Sequence, residues 1–262
     1  MIAMERTDAG YDEVAELYDQ YYSDLFDLQF FSALARRFGS PILDAMCGTG
    51  RLAIPLAKAG HEVVAFDSSE AMLSLLRRKL EAEGAEVKAR LEIRKEDVRG
   101  FDLGRRFNLI IVALSSFLHL IEPADQDAAV ACLRNHLTGD GALALACLNP
   151  LSVRDGHPDG LSVTRLLSDG STLCRRNTIE VDQERGLMHM RFRWELGGSG
   201  GKRVVESSFD LKLLPPNRLK ALLEGAGLEI MERWGGFNGE PLSARSPWIV
   251  FVARKRHFAP LH

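Results

Sequence analysis

The sequence predicts an α/β protein. Its mostly parallel sheet carries helices on both faces, and an antiparallel β-meander is inserted. Three observations lead there. Up to Asn149, short apolar runs alternate with stretches of helical periodicity, the order that builds right-handed β-α-β units. After Asn149 the apolar residues recur at period two between turn-forming clusters. One further helix and two apolar runs then close the chain.

In order, residues 11–38 read as helical but interrupted, with a break at "YYSD". Val14, Leu17 and Tyr18, then Leu28, Phe31, Leu34 and Ala35, recur at helical spacing. "PILDAM" is a short buried strand. "RLAIPLAKAG" is a helix stopped by Gly60, and "HEVVAF" is the second strand. "SSEAMLSLLRRKLEAEG" has a serine cap, an early Glu70 and a closing Gly84, which together predict a helix. "VKARLEIRKED" is expected as the third strand. "FNLIIVALSSFL" is the fourth, apolar enough to be buried on both faces. "PADQDAAVACLRNHL" is a helix opened by Pro123, and "TGDGALALACLN" a turn and fifth strand. The meander follows, with turns at "SDGS", "DQERG" and "GGSGG", the last read as a hairpin tip. "PPNRLKALLEGAG" is a helix, and "LEIMERWGG" and "SPWIVFVARK" are the final strands. This divides the chain into a helical cap (1–40), a ligand-binding core (41–150), the β insertion (151–214) and a C-terminal part of the core sheet (215–262).

With 262 residues, 46% hydrophobic and 26% charged, the chain has the composition of a folded water-soluble protein. A net charge of −3 argues against a dedicated nucleic-acid binder. No apolar run reaches membrane-spanning length, and the first residues lack a basic-then-apolar secretory pattern, so a cytoplasmic protein is expected. Cys47, Cys132, Cys147 and Cys174 form no C-x-x-C pair, so no metal site is expected. Cys47, inside the glycine loop, reads as a small side chain that lets a ligand approach.

That loop, Gly48-Thr49-Gly50-Arg51-Leu52-Ala53, fits the dinucleotide pattern G-x-G-x-x-A. Asp44, just ahead of it, decides against a dinucleotide. A carboxylate at the strand end would repel a pyrophosphate, whereas it would attract the ammonium and sulfonium of S-adenosylmethionine. Asp67 ends the second strand, where it can accept hydrogen bonds from ribose hydroxyls. Asp97 follows the third, where an adenine amino group can be held. Three acids at three successive strand ends lie along the carboxyl edge, where open α/β sheets bind ligands. Ala45, Cys47, Gly48, Thr49, Gly50, Ser68 and Val98 stand beside them on that edge and complete the expected cofactor site, with Met72 against the adenine ring.

"LDAMCGTG", "VVAFDSSEAM", "KEDV" and "FNLIIVALSSFLHL" resemble the successive motifs of class I S-adenosylmethionine-dependent methyltransferases over roughly residues 11 to 150. The resemblance implies a Rossmann-like seven-stranded sheet with an antiparallel last strand, S-adenosylmethionine as cofactor and S-adenosylhomocysteine as product. "AELYDQYY", "SSFLHL" and a three-stranded antiparallel insertion are similar in layout to the amino-sugar N,N-dimethyltransferases of macrolide biosynthesis. In that group N-terminal tyrosines cover the cofactor and a histidine after strand four faces the acceptor. Carried over, these are Tyr18, Tyr22 and His119. The insertion and "RWGGFNGEPLSARSPW" match no acceptor pocket of that group.

Methyl transfer from a sulfonium is an in-line displacement with a good leaving group already in place, so positioning outweighs acid–base work. His119 is the candidate base or orienting group, with Tyr22 as a second catalytic candidate. Leu114 and Ser115 would line the methyl end. Met188, Met190, Phe192 and Trp194 share one strand face, read as sheet core. Arg191 and Arg193 share the other, read as solvated, with an anionic acceptor group as the alternative partner. The expectation is methylation of a small molecule at nitrogen or oxygen by a monomer or homodimer, without nucleic acid or membrane. The alternatives are a tRNA-modifying methyltransferase, a dinucleotide-dependent oxidoreductase, and a non-catalytic S-adenosylmethionine-binding module.

Overall fold

The computed structural model describes residues 14–22, 25–153, 162–167, 169–198 and 201–256. The sheet takes its strands from apolar runs too short for helices: β1 (Ile42–Ala45), β2 (Val63–Asp67), β3 (Leu91–Lys95), β4 (Phe107–Val112) and β5 (Leu137–Leu148). Between them lie α3 (Ala53–Lys58), α4 (Glu70–Glu81), α5 (Ala85–Arg90) and α6 (Pro123–Asn135), preceded by α1 (Ala15–Tyr21) and α2 (Leu28–Phe38). After β5 come α7 (Pro150–Val153), the insertion strands β6 (Ser162–Leu166), β7 (Thr172–Asp182), β8 (Leu187–Gly198) and β9 (Gly201–Lys212), then α8 (Pro216–Gly225), β10 (Leu228–Trp234) and β11 (Trp248–Lys255).

The main sheet has seven strands in the order β10-β11-β5-β4-β1-β2-β3. β1 pairs in parallel with β2 and β4, while β11 runs antiparallel to both β5 and β10. The order reverses at β1 and β4, whose carboxyl ends therefore open a crevice for a ligand. Alternation along β4 divides the core. Phe107, Ile110 and Val112 join the cluster under α6 and α8, while Leu109 and Ile111 join the cluster under α2, α3 and α4. All five are fully buried, as a central parallel strand requires.

Two expectations need correction. Residues 85–90 are not strand but the helix α5, so only Leu91–Lys95 pairs with β2. Glu86, Lys88 and Arg90 are straight-chain helix formers, Glu86 meets Arg90 one turn on, and nothing on α5 is buried to reward an extended chain. The insertion has four strands, in the meander order β6-β7-β8-β9, not three. The break expected at "YYSD" is present: α1 ends at Tyr21, the first residue of that stretch. Ser23 and Asp24 of that stretch, residues 1–13 of the cap, and Ser199 and Gly200 of "GGSGG" lie outside the described residues.

The inner face of the four-stranded sheet spans two neighbours. Met188 and Leu211 join the main core with Phe117 and Leu118, while Leu173, Phe192 and Trp194 pack against Val14, just ahead of α1, and against Leu17 and Tyr21 of that helix. The stripe on β8 is therefore sheet core. Among the described residues, no helix is long and apolar enough to cross a membrane.

Candidate active site

A cleft of about 880 Å³, including its open mouth, lies over the carboxyl ends of β1, β2 and β4. Its walls include Tyr18, Asp44, Cys47, Gly48, Thr49, Asp67, Ser68, Met72, Leu114 and His119. Met46, Arg51, Leu52, Ser69, Ala113 and Ser116, which the sequence reading did not name as site residues, complete it.

The glycine loop owes its shape to two close constraints. Gly50 has φ +77°, and a Cβ there would lie 2.1 Å from Leu76 Cδ1 of α4, so no side chain is tolerated. Gly48, at φ +56°, faces open space and leaves the backbone bare toward the cleft. Its N–H donates to Asp67 Oδ2 at 2.7 Å, while Ser69 N–H donates to Asp67 Oδ1 at 3.0 Å. Asp67 thus fixes the loop and the start of α4 together. Three non-glycine residues at this edge also take left-handed backbone: Met46 after β1, and Leu114 and Ser115 after β4. Such conformations cost roughly 1–3 kcal/mol each and persist where the surroundings over-determine them. Here Ser115 N–H donates to Ala146 O at 3.0 Å, Ser115 Oγ accepts from Leu148 N–H at 2.9 Å, and Ser116 Oγ donates to Met46 O at 3.4 Å.

Asp44 is 3% exposed, and its Oδ2 has no hydrogen-bond partner. Burial is the main force lifting its carboxyl to about 7; Arg51 opposes the rise and Asp67 adds to it. A buried carboxyl with an unpartnered oxygen favours a cation beside it. Arg51 does not take that place, because its guanidinium is forked onto Asp27. Burial also pushes the Cys47 thiol well above its usual range, so Cys47 is a small uncharged wall and not a nucleophile.

α1 is fastened over the cleft. Asp19 Oδ1 accepts from Thr49 Oγ1 at 2.5 Å and from Lys79 Nζ at 2.6 Å. Tyr18 stacks on Tyr22 with centroids 4.5 Å apart, and the Tyr22 hydroxyl is hydrogen-bonded to Arg175 of β7. At the far end, His119 closes the 3-10 turn after β4 and meets Phe209 of β9 at 5.1 Å. Burial lowers its imidazole to about 4, so it is neutral near pH 7.

Five predicted residues stand near the cleft without lining it. Tyr22 sits behind Tyr18. Gly50 and Ala45 form the packed base of the loop and strand, and Ser115 spends its polar groups on β5. Val98 is core, at 4% exposure. Asp97, the sixth, turns to its neighbour Arg99, whose Nε lies 2.9 and 3.0 Å from the two carboxylate oxygens and holds the group below the usual carboxylate range. Asn149 shapes a turn, donating to Ser243 O and Ser246 O and so anchoring the "RWGGFNGEPLSARSPW" segment. Arg191 and Arg193 meet Glu180, Glu195 and Glu206 on the outer sheet face.

S-adenosylmethionine fits this lining. The unpartnered Asp44 oxygen suits its ammonium and sulfonium, and Asp67 suits its ribose. A pyrophosphate would meet these two acids, while Arg51 is committed to Asp27. Residues 42–141 match the family described as "Methyltransferase domain". The chain is 32% identical to a dTDP-3-amino-3,6-dideoxy-α-D-glucopyranose N,N-dimethyltransferase of Streptomyces fradiae, over 90% of this chain and 91% of that protein. It is 27% identical to the cypemycin N-terminal methyltransferase of a Streptomyces species, over 94% and 98%. The CcbJ methyltransferase structure from Streptomyces caelestis superposes with a TM-score of 0.79 at 25% identity, covering 96% of this chain and 99% of that one. An acid-edged glycine loop on a seven-stranded sheet, and relatives matched along nearly their full length, carry one conclusion: this chain belongs to the class I S-adenosylmethionine-dependent methyltransferases.

Proposed function

We propose that this methyltransferase transfers the methyl group to an amine nitrogen of a small-molecule acceptor. The observation that carries the reading is His119, half-buried, neutral, and set where the cleft meets the four-stranded sheet. A neutral imidazole accepts a hydrogen bond from an amine N–H and so aims the nitrogen lone pair. The same low-dielectric setting disfavours the protonated amine, which has no lone pair to give. An imidazole held near 4 is a weak proton acceptor, so orientation is its main task. Of the relatives named above, one is by its name an N,N-dimethyltransferase of a dTDP-linked amino sugar and the other an N-terminal methyltransferase of cypemycin.

S-adenosylmethionine supplies an electrophilic methyl on a positively charged sulfur. The chain's own residues do the rest. Asp44 neutralises the methionine ammonium, Asp67 accepts from the ribose, and the bare Gly48 backbone allows close approach. Met72 and Ser68 flank the nucleoside, and Asp97 with Val98 are assigned to its adenine end by position along the edge. Tyr18, braced by Tyr22, covers the cofactor, and Leu114 sets the floor near the methyl, with Ser115 holding that turn against β5. On this reading residues 1–40 are the cover, 41–150 the cofactor core, 151–214 the acceptor side and 215–262 the completion of the core. The enzyme works in the cytoplasm as a monomer or homodimer, without nucleic acid.

Calorimetric titration with S-adenosylhomocysteine, with NAD as control, tests the cofactor site. Incubation of the protein with radiolabelled S-adenosylmethionine and a panel of matched amines and alcohols tests the acceptor. Labelling of amines alone supports the reading, and labelling of alcohols alone sinks it.

A further inference from the structure

The inner face of the four-stranded sheet reaches the cleft through a ring. Phe209 of β9 lies opposite Met190 of β8, and both half-buried residues pack against the main core and against the cluster beneath α1. From this seam the Phe209 ring meets the imidazole of His119, with centroids 5.1 Å apart and planes inclined at 57°. Phe209 is not among the described residues that line the cleft, so it stands behind His119. The ring is itself backed by packed core. Phe192 lies 5.2 Å from it, and Trp194 and the Arg175 guanidinium carbon lie 5.9 and 4.7 Å from Phe192. Arg175 is hydrogen-bonded to the Tyr22 hydroxyl, and Tyr22 stacks on Tyr18. A continuous run of packed side chains therefore joins Tyr18 on one wall of the cleft to His119 on the other.

An imidazole that aims an amine lone pair must keep one orientation and stay uncharged. A ring behind it serves both needs. Aromatic pairs at this separation prefer tilted geometries, so the contact restrains the imidazole plane. The apolar ring also shields that side from water and so disfavours the protonated form. Burial is what lowers the His119 imidazole to about 4. The turn that carries it packs on β5 and β9. On β9, Glu206 and Asp210 are paired with Arg193 and His189 on the outer face, and Lys212 donates to Arg185 O. On β5, Cys147 is a buried thiol pushed up to about 12. Asp44 and Tyr18 share the cleft with His119.

We propose that Phe209 is a positioning residue for methyl transfer: its ring, braced by Phe192, fixes the plane of the His119 imidazole and keeps water from its far side. The proposal rests on the reading of His119 as the group that orients an acceptor amine. It adds the residue through which the inserted sheet takes part in turnover. Phe209 acts through His119 alone, so its removal changes how the amine is aimed and leaves cofactor binding as it was.

The test begins without an acceptor. In the full chain saturated with S-adenosylhomocysteine, the His119 ring signal is followed by NMR from about pH 8 to about pH 5.5, a window around the ordinary imidazole value. The signal is assigned by its loss in His119→Gln. In the wild-type chain it is expected to stay at its neutral position throughout. In Phe209→Ala it is expected to titrate inside that window, and Phe209→Tyr, which keeps the ring, should restore wild-type behaviour. Turnover is then measured on the amine labelled fastest in the radiolabel panel. Phe209→Ala should lower kcat about five-fold or more, with S-adenosylhomocysteine affinity unchanged. Added to His119→Ala it should lower kcat no further, because the ring acts through the imidazole. Phe209→Leu keeps apolar bulk without a flat ring, and its kcat in the same two backgrounds decides the matter if Phe209→Ala does not fold. Equal losses of kcat in both backgrounds overturn the proposal, since a ring that only packs would give them. An unmoved titration beside a crippled His119→Ala sinks the proposal alone. Full turnover by His119→Ala, with a titration that still answers to Phe209, sinks the amine-orienting reading and the catalytic sense of the contact with it.

Discussion

Arg51 Nη1 and Nη2 meet Asp27 Oδ1 and Oδ2 at 2.5 and 2.7 Å, joining the glycine loop to the start of α2 by a two-pronged ion pair. Asp27 is fully buried and the Arg51 side chain is 10% exposed. Removing one partner strands the other charge. Asp27→Ala should therefore cost about 3–5 kcal/mol in urea unfolding and weaken cofactor binding, because the loop loses its anchor. Replacing the pair together, Asp27→Leu with Arg51→Met, should recover most of the stability. A single variant with unchanged unfolding would show that the pair carries nothing.

Asp67 accepts from the loop and from the turn before α4, and it stands at the rim of the cleft. Asp67→Ala should lower S-adenosylhomocysteine affinity by roughly ten- to a hundred-fold, the scale of a lost hydrogen bond to a charged group. Unchanged affinity in the calorimeter would remove the ribose assignment.

Asp44 gives a pH dependence with a definite sign. Its carboxyl titrates near 7 in the fold, against 3.8 ordinarily. Between those values the folded chain holds a proton that the unfolded chain has released, so stability falls as pH rises through this window. Asp44→Asn should therefore stabilise the ligand-free protein above pH 7, by an amount on the order of a few kcal/mol. At pH below the ordinary carboxyl range the two should converge. The same change should abolish tight cofactor binding. Wild-type affinity for S-adenosylhomocysteine should weaken as pH drops below 7, because the incoming ammonium must then expel the proton. Thermal melts and titrations across this range check both halves.

His119 runs the other way. Burial holds it at about 4, below its ordinary 6.5. Between these values the unfolded chain binds the extra proton, so this residue's share of stability is present above 6.5 and lost as pH falls toward 4. His119→Gln should flatten that acid limb. His119→Ala should lower kcat by about ten- to a hundred-fold on the true acceptor, within the range for a positioned hydrogen-bonding group. The wild-type kcat/KM profile should show no break near 6.5 from this residue. Full turnover by the alanine variant would end its role.

The sheet edge was legible because its signals are local. Asp44, Gly48, Gly50 and Asp67 lie at fixed offsets from apolar runs, and strand ends are the places where a parallel sheet presents side chains to a ligand. The Arg51–Asp27 pair spans 24 residues and left no local pattern. Arg175 was hidden for another reason. It has Arg176 beside it, and alternation alone does not say which of the two points inward until the turns fix the register. Residues 85–90 misled because Val87 and Leu91 look like one strand, although their neighbours favour a helix and Leu91 alone is buried against the sheet.

Tyr18 lines the cofactor cleft, Tyr22 stacks on it, and Arg175 ties Tyr22 to the sheet on the acceptor side. On the proposed reading these three side chains form one cover shared by the two compartments. That reading predicts an ordered sequence, with the nucleoside seated first and the methylated acceptor released before the spent nucleoside. Steady-state inhibition by S-adenosylhomocysteine should then be competitive toward the cofactor and noncompetitive toward the acceptor. Arg175→Met should loosen that sequence toward random order.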